Sequence, residues 1–274
     1  MNNISAPAYQ IIMRYLISFL LMASFINAQC QTQIDTVSYL NKNVSTDSTK
    51  RRSRILIKSA IGIGYASATF LCYRYVDIRI QDESQEGKNP LKTGIANSIE
   101  SLGLGRYNTI GLASTALFAY LTKNKKLQKT ALLWSGSLLI NSVITDGLKK
   151  TFQRHRPSTG DPYNVFDWAN GPKVNESFPS ANTSNAFTTA TVFATMYKDK
   201  KWVPPLAYGL ATLVGFSRIY NNGHWASDVM AGAAVGFLSA KGVIGLYKIA
   251  SKRYILVIPQ IGQKFSSFSL IYRF

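Results

Sequence analysis

The chain has 274 residues, enough for one sizeable domain, and it carries a formal net charge of +18. Apolar residues make up 46% of it and charged residues only 16%, which is too apolar for a disordered chain and leaner in charge than an average soluble domain. Its two cysteines exclude a disulfide framework and a thiolate metal cluster. The positive charge predicts anionic partners, but the sequence has no zinc-finger spacing and no recognition-helix pattern, so we expect no nucleic acid among them.

The N-terminal part of the sequence predicts an exported or membrane-anchored chain. We expect residues 1–28 to be a signal peptide or an N-terminal anchor, because Arg14 precedes an apolar run from Tyr15 to Ile26 and Ala28 follows it. Residues 29–54 are polar and rich in Ser, Thr and Asn. This composition predicts a poorly ordered lead-in to the folded domain.

Residues 55–250 contain six apolar segments. Small residues at three- and four-residue spacing within them predict closely packed helices, so we expect an all-α fold, a six-helix bundle embedded in a membrane. Most of the uncharged stretches are shorter than the ~20 residues that a bilayer span needs, and a soluble bundle is therefore the alternative. The segments lie near 55–76, 107–122, 130–148, 183–197, 203–217 and 229–247.

The basic residues cluster between these segments, at Lys50–Arg54, Lys123–Lys129, Lys198–Lys201 and Lys248–Arg253. If the six segments alternate across a membrane, all four clusters fall on one side, as the positive-inside rule requires. Loops 149–182 and 218–228 then fall on the other side. We therefore expect a bacterial-type inner membrane with these loops facing the periplasm. A cleaved signal peptide would instead put Lys50–Arg54 outside, and a soluble periplasmic domain is the alternative.

The periodicity changes in residues 251–274. Apolar Phe268, Leu270, Tyr272 and Phe274 alternate with other residues, which is strand periodicity. This pattern predicts a short C-terminal β-hairpin packed on the bundle. Outer-membrane barrels end in similar strands, but two strands cannot close a barrel.

A histidine and an aspartate near the end of the chain have the spacing of a catalytic pair. Asp228 follows His224 by four residues, so on a helix both share one face and the carboxylate can hold the imidazole in one tautomer. An imidazole held in this way can attack phosphorus, and Arg218 lies six residues earlier. Taken alone, such a pair is more typical of a surface helix cap.

Two earlier segments contain residues that suit a phosphate site. Lys149 and Arg156 frame a loop that Pro157 separates from any following helix. Ser180 follows Pro179 at the start of the fourth predicted helix, where free N–H groups and the hydroxyl can cradle a phosphate. Taken singly, the charges are typical of a solvated loop and the serine of a simple helix cap.

Together the three segments match the signature motifs of a known family in order and spacing. Residues 149–157 fit K-x6-R-P, residues 217–228 fit S-R-x5-H-x3-D, and residues 179–182 resemble P-S-G-H. Over roughly 105–250 the chain thus resembles the superfamily of type 2 phosphatidic acid phosphatases and vanadium haloperoxidases.

The resemblance implies a phosphatase mechanism. His224 would form a phosphohistidine intermediate and Asp228 would orient it. No metal or other cofactor would be needed, because three cations already balance the phosphate charge. The phosphate ligands that the resemblance implies are Lys149, Arg156, Arg218, the Ser180 hydroxyl and the N–H of Ala181.

The second motif departs from the family pattern, with Ala181 and Asn182 in place of Gly and His. In the family that histidine protonates the leaving group and later activates water. Asparagine cannot transfer a proton at neutral pH, and losing a general acid costs ~10²–10⁴ in rate. A diphosphate would suffer least, because a phosphate leaves without much protonation. His155, the other histidine of the chain, is a further way to supply the proton.

We therefore expect a metal-independent phosphatase that hydrolyses a phosphorylated lipid or isoprenoid, with a membrane and this lipid as its partners. The alternative is an impaired, phosphate-lipid-binding pseudoenzyme of the same family. A vanadium haloperoxidase and a soluble periplasmic acid phosphatase are further alternatives.

Overall fold

The computed structural model describes residues 47–171, 175–252, 255–261 and 266–272. The predicted signal peptide or anchor, residues 1–28, lies outside these residues, as does the lead-in up to residue 46. The described residues form eight α-helices, a π-helical turn, two 3₁₀ turns and a pair of strands.

The helices follow one another with short connections, apart from one long loop between the fifth and the sixth. A π-helical turn, Cys72–Val76, joins the first two, and the 3₁₀ turns Pro157–Thr159 and Trp168–Asn170 lie in the long loop. The helices are α1 Asp47–Leu71, α2 Asp77–Gln85, α3 Pro90–Ser101, α4 Gly105–Leu121, α5 Lys125–Phe152, α6 Ala181–Met196, α7 Val203–Tyr220 and α8 Ala226–Lys252.

The prediction of an all-α fold is confirmed for the domain, and each of the six predicted segments forms a helix. The number of helices differs, because α2 continues the first segment and α3 is an additional helix. Asn89 caps α3 by accepting a hydrogen bond from the N–H of Lys92 at 2.8 Å, and Pro90 occupies its first turn. This Asn-Pro start is a helix signal, but α3 has no long apolar segment to draw attention to it.

Helix α6 lies at the centre of the domain and packs on α5, α7 and α8. Trp134 and Val192 are among the buried side chains that join it to α5 and α8. Against α8 the approach is close: a Cβ at Gly232 would lie 2.5 Å from the carbonyl oxygen of Ser180, and one at Gly236 would collide with that of Ser184. Small residues thus hold the start of α6 against α8, as packed membrane helices require.

The central helices alternate in direction, so the two ends of the bundle differ chemically. At one end α5 and α7 finish and α6 and α8 begin, which brings together loop 153–180 and loop 221–225. At the opposite end lie the basic clusters Lys123–Lys129 and Lys198–Lys201, where Lys126 pairs with Asp199 at 3.0 Å and the ammonium of Lys129 lies over the Tyr247 ring. The three motif segments therefore meet at the less basic end.

Three of the described helices are long and apolar enough to cross a membrane. They are Leu56–Gln85, Lys125–Phe152 and Ala226–Ser251. Large apolar side chains are exposed on the outer faces of the bundle, including Phe118 and Leu139, each about 60–70% accessible. Such a broad apolar surface is typical of a membrane or partner contact rather than of a water-exposed bundle.

The chain ends in two antiparallel strands, β1 Ile255–Ile261 and β2 Ser266–Tyr272. Their register pairs Ile255 with Tyr272 and Ile261 with Ser266. The predicted packing of this hairpin on the bundle depends on side chains outside the described residues.

Candidate active site

His224 lies in the short loop between α7 and α8, and only 3% of it is exposed. Its Nδ1 atom is 3.4 Å from the Ser177 hydroxyl and 3.9 Å from Oδ2 of Asp228. The hydroxyl of Ser177 donates to the same Oδ2 at 2.6 Å, so it bridges the imidazole and the carboxylate. The N–H of Trp225 also donates to Oδ2, at 3.0 Å. Because Nδ1 faces the Ser177 hydroxyl and the Asp228 carboxylate, Nε2 on the other side of the ring is the nitrogen that remains free to react.

The surroundings of His224 keep its imidazole neutral. Burial lowers the pKa of His224 to about 3, and the cations of Lys149 and Arg218 lower it further, while Asp228 acts in the opposite direction. A neutral imidazole retains a free lone pair at neutral pH, which a nucleophile needs. At neutral pH the imidazole of His224 therefore has a free lone pair without a separate deprotonation step.

Three cationic side chains converge on this histidine. The ammonium of Lys149 donates to the carbonyl oxygen of Glu176, and Arg156 donates to the same carbonyl and to that of Gly223, both at 3.4 Å. The guanidinium of Arg218 packs on Gly223, where a Cβ would lie 2.9 Å from its Cζ atom. Burial and the neighbouring Arg218 lower the pKa of Arg156, as expected for cations placed together before an anion binds.

The start of α6 completes one wall of the site. The helix begins at Ala181 and no side chain caps it, so its first N–H groups can donate to an anion. The N–H of Ser180 donates to the Asp228 carbonyl at 3.0 Å, which fixes the helix start beside the His-Asp pair. The Ser180 hydroxyl, a predicted phosphate ligand, shares a hydrogen bond with Thr183 at 2.9 Å instead.

A model of the PAP2 superfamily matches residues 130–252, which contain all three motif segments. Residues 130–252 therefore belong to the PAP2 superfamily. In structure it is similar to the first transmembrane PAP2 type phosphatidylglycerolphosphate phosphatase from Bacillus subtilis. That likeness has a TM-score of 0.52 at 20% identity and covers 70% of this chain and 96% of the other, so it shows the PAP2 fold.

Curated PAP2 relatives are similar over part of their length. A lipid A 1-phosphatase of Porphyromonas gingivalis is 39% identical over 104 residues, which are 38% of this chain and 20% of that protein. A lipid A 4'-phosphatase of the same organism is 28% identical over 148 residues, 50% of this chain and 61% of that protein. The chain thus spans less than two thirds of the length of either relative.

Asn182, which stands at the motif position where this chain departs from the family, has a neighbour that no motif includes. The side-chain amide of Asn182 lies 3.4 Å from Oε1 of Glu100, on α3. The same carboxylate pairs with Arg218, and its Oε2 accepts from Asn221 at 2.5 Å. Sequence analysis missed Glu100, because α3 was not predicted and no motif includes it.

A buried ion network holds the His-Asp pair from behind, and the sequence did not reveal it. Arg154 is 1% exposed and donates to Asp228 at 2.5 Å and to Asp77 at 2.7 Å. Asp77 in turn accepts from the N–H of Ser227 at 2.8 Å. Asp77 is the first residue of α2, whose nine residues carry three further charges, so no pattern in the sequence set it apart.

The side chain of His155 lies away from His224 and Asn182. Its Nδ1 is 2.7 Å from Asp161 and its Nε2 is 3.0 Å from Asp167, on the outer side of the loop. Gln153 takes a left-handed conformation with φ 44° and ends α5, so the next residues run extended. Alternate residues of an extended chain point to opposite sides, so Arg154 and Arg156 face inward and His155 faces outward.

An apolar cavity of about 800 Å³ opens beside the site. Leu102 and Val214 line it close to Glu100 and Asn182, and Lys200 and Trp202 line it towards the basic end. Most of the lining between them is apolar and comes from α4, α6 and α7. The cavity therefore runs along the helices, away from the charged site.

Proposed function

We propose that this chain is a metal-independent PAP2-type phosphohydrolase that acts on a phosphorylated lipid through a phosphohistidine intermediate. The observation that carries the proposal is a buried, neutral His224 facing three cations, Lys149, Arg156 and Arg218. Water-excluded cations stabilise the charge of a transferring phosphoryl group strongly, because they need no reorganisation during the reaction.

Each group has a defined task in this proposal. Nε2 of His224 attacks phosphorus and the bond to the leaving oxygen breaks. The cations and the first N–H groups of α6 bind the phosphate oxygens. Asp228 and the bridging Ser177 fix the ring and stabilise its positive charge when the phosphoryl group is attached. Water then attacks the phosphohistidine and releases inorganic phosphate.

Three observations support a lipid as the substrate class. The cavity beside the site is apolar and follows the helices, so it suits a hydrocarbon tail. Three helices are candidate membrane spans. The relatives are a lipid A 1-phosphatase, a lipid A 4'-phosphatase and a phosphatidylglycerolphosphate phosphatase. We therefore include lipid A and phosphatidylglycerophosphate in the substrate class, beside isoprenoid mono- and diphosphates.

We further propose that the chain lies in a bacterial inner membrane with the site facing the periplasm. The site loops and the basic clusters lie at opposite ends of the bundle, and the positive-inside rule assigns the basic end to the cytoplasm. The basic ends of α5 and α8 also begin or finish candidate spans.

Phosphate release by the purified, detergent-solubilised chain tests the activity. The panel should contain a lipid A preparation, phosphatidylglycerophosphate, an isoprenoid diphosphate and p-nitrophenyl phosphate. We expect release that survives a metal chelator. Wild-type protein that releases no phosphate from any of them, yet is folded, would refute the proposal.

A pseudoenzyme of the same family is the second candidate, and Asn182 is the observation that favours it. The Asn182→His variant distinguishes the two, since it restores the family's acid. Wild-type turnover near zero, together with an active Asn182→His variant, supports the pseudoenzyme. Substantial wild-type turnover supports the enzyme, and a preference for diphosphates over monoesters would show how far the missing acid limits it.

A further inference from the structure

Glu100 contacts Asn182, the residue that stands where the family has its proton-donating histidine. Its carboxylate lies between Arg218, a proposed phosphate ligand, and Asn182, at the family's acid position. Asn221 holds the other carboxylate oxygen at 2.5 Å, so the group has a fixed orientation. Its side chain is 19% exposed, which leaves it accessible to a substrate or a water molecule.

We propose that Glu100 is the general acid and base of the reaction, in place of the absent histidine. The inference rests on the proposed function and adds a catalytic residue to it. Carboxylic acids are effective proton donors and acceptors when they lie at the reacting oxygen, and Asn182 can position Glu100 but cannot replace it.

The contacts of Arg218 explain how the Glu100 carboxylate can leave its ion pair with Arg218 and become free for proton transfer. In the structure Arg218 pairs with Glu100, and its buried Nε atom has no hydrogen-bond partner among the described residues. A substrate phosphate carries more charge than a carboxylate and offers more acceptor oxygens. It therefore displaces Glu100 from the guanidinium.

Glu100 lies in the last turn of α3, and the polar groups around it come from two other helices. The other groups facing it are Arg218 and Asn221, at the end of α7, and Asn182 on α6, with Arg156 near enough to interact electrostatically.

The proton balance closes over the two steps. When the phosphate displaces Glu100 from Arg218, the carboxylate takes up one proton from the solvent. In the first step, the bond from His224 Nε2 to phosphorus forms, the bond from phosphorus to the leaving oxygen breaks, and Glu100 gives this proton to that oxygen. In the second, the Glu100 carboxylate takes a proton from water, the oxygen of that water bonds to phosphorus and the P–N bond breaks. Phosphate leaves and Glu100 is protonated again.

The Glu100→Gln variant tests the proposal, because it keeps the shape and hydrogen bonding of the side chain but cannot transfer a proton. We expect phosphate release from an alkyl phosphate monoester to fall by ~10²–10⁴. With p-nitrophenyl phosphate, whose leaving group needs no acid, we expect a burst of one nitrophenolate per site followed by slow turnover. The burst should accompany an acid-labile phosphoenzyme, because the second step lacks its base.

Two controls separate a catalytic role from a structural one. Glu86→Gln makes the same charge change at an exposed position of the α2–α3 loop and should leave turnover unchanged. Inhibition by orthovanadate should persist in Glu100→Gln, since its phosphate ligands remain. Adding Asn182→His to Glu100→Gln should restore turnover of the alkyl monoester and remove the burst.

The outcomes are distinct. If wild type hydrolyses these substrates and Glu100→Gln matches or exceeds it, Glu100 only competes with phosphate for Arg218, and this inference is wrong while the proposed function stands. If wild type hydrolyses none of them, the proposed function itself fails and the inference fails with it. A phosphoenzyme that accumulates in the variant but not in wild type supports both.

Discussion

The two sides of the phosphate position are built differently. On the nucleophile side, His224, Asp228 and Arg154 are each at most 3% exposed and the hydrogen bonds join them into one network. On the leaving-group side, Asn182 and Glu100 are half-buried and joined by a hydrogen bond of 3.4 Å. His224 and Asp228 follow the family motifs, whereas Asn182 departs from them. In the proposed mechanism, the covalent step therefore falls in the fully buried part of the site and the proton supply in the more accessible part.

Replacing the nucleophile should give the largest effect. In His224→Gln we expect phosphate release to fall by about 10⁴-fold or more, because the covalent step has no substitute. Orthovanadate should still stabilise the variant thermally, which controls for folding. Comparable turnover in variant and wild type would show that the nucleophile side has been assigned to the wrong residue.

The buried network behind the nucleophile should dominate stability. Asp77→Asn removes one charge from the pair with Arg154 and should cost about 3 kcal/mol in the free energy of unfolding, measured in mixed detergent micelles. The matched control is Asp199→Asn, which breaks the exposed pair with Lys126 and should leave that free energy nearly unchanged. Equal effects of the two substitutions would contradict a structural role of the network.

The turn that follows Glu100 should be sensitive to added volume. A Cβ at Gly103 would lie 2.6 Å from the Asn182 carbonyl oxygen and 2.6 Å from Val214, so Gly103→Ala should cost about 1–3 kcal/mol and lower turnover. Gly94→Ala in the same helix region has open space around it and should be neutral or stabilise by about 0.5–1 kcal/mol. If Gly103→Ala changed neither the free energy of unfolding nor turnover, the leaving-group side would be more loosely packed than the distances at Gly103 indicate.

The smallest effect should come from the rim of the site. The hydrogen bond that His155 donates to Asp161, with the one it donates to Asp167, raises the pKa of His155 above its ordinary value near 6.5. Protonated His155 joins Asp161 to Asp167, and we call this bridge the clamp. Its stabilisation is fully present below about pH 6.5 and is lost as the pH rises through the raised pKa of His155 in the folded protein. Amide hydrogen exchange in residues 157–171 should therefore accelerate with rising pH by more than the pH dependence of the intrinsic exchange rate explains. His155→Gln should remove that excess, and an excess that persists in the variant would exclude the clamp.

The nucleophile side could largely be predicted from the sequence. His224 and Asp228 are four residues apart, Arg218 is close by, and their spacing belongs to one helix–turn–helix. Helices α4 to α8 also followed from apolar segments. For His155, the sequence indicated only that neighbouring residues usually point apart. The left-handed Gln153 that sets which way these residues face is not contained in a spacing.

The leaving-group side and the supporting network could not be predicted in the same way. Glu100 meets Arg218 across 118 positions of the chain, and Asp77 meets Arg154 across 77, so these pairs exist only after the helices have packed. Neither pair has a local pattern. The sequence did show that Asn182 stands where the family has its proton donor, and the structure adds that the Glu100 carboxylate is its neighbour.

The close approach of α6 and α8 has a consequence for how such a protein could acquire new substrates. Because Gly232 and Gly236 press against the carbonyls of Ser180 and Ser184, the phosphate cradle and the nucleophile's helix form one unit that tolerates little change. Helix α3 and its turn meet the start of α6 through the Glu100 carboxylate beside the Asn182 side chain and through Gly103 against the Asn182 carbonyl. Substitutions at other positions of α3, and at Leu102, which lines the cavity, can reshape the pocket for a different headgroup while these two contacts stay intact, so directed evolution of specificity should begin there.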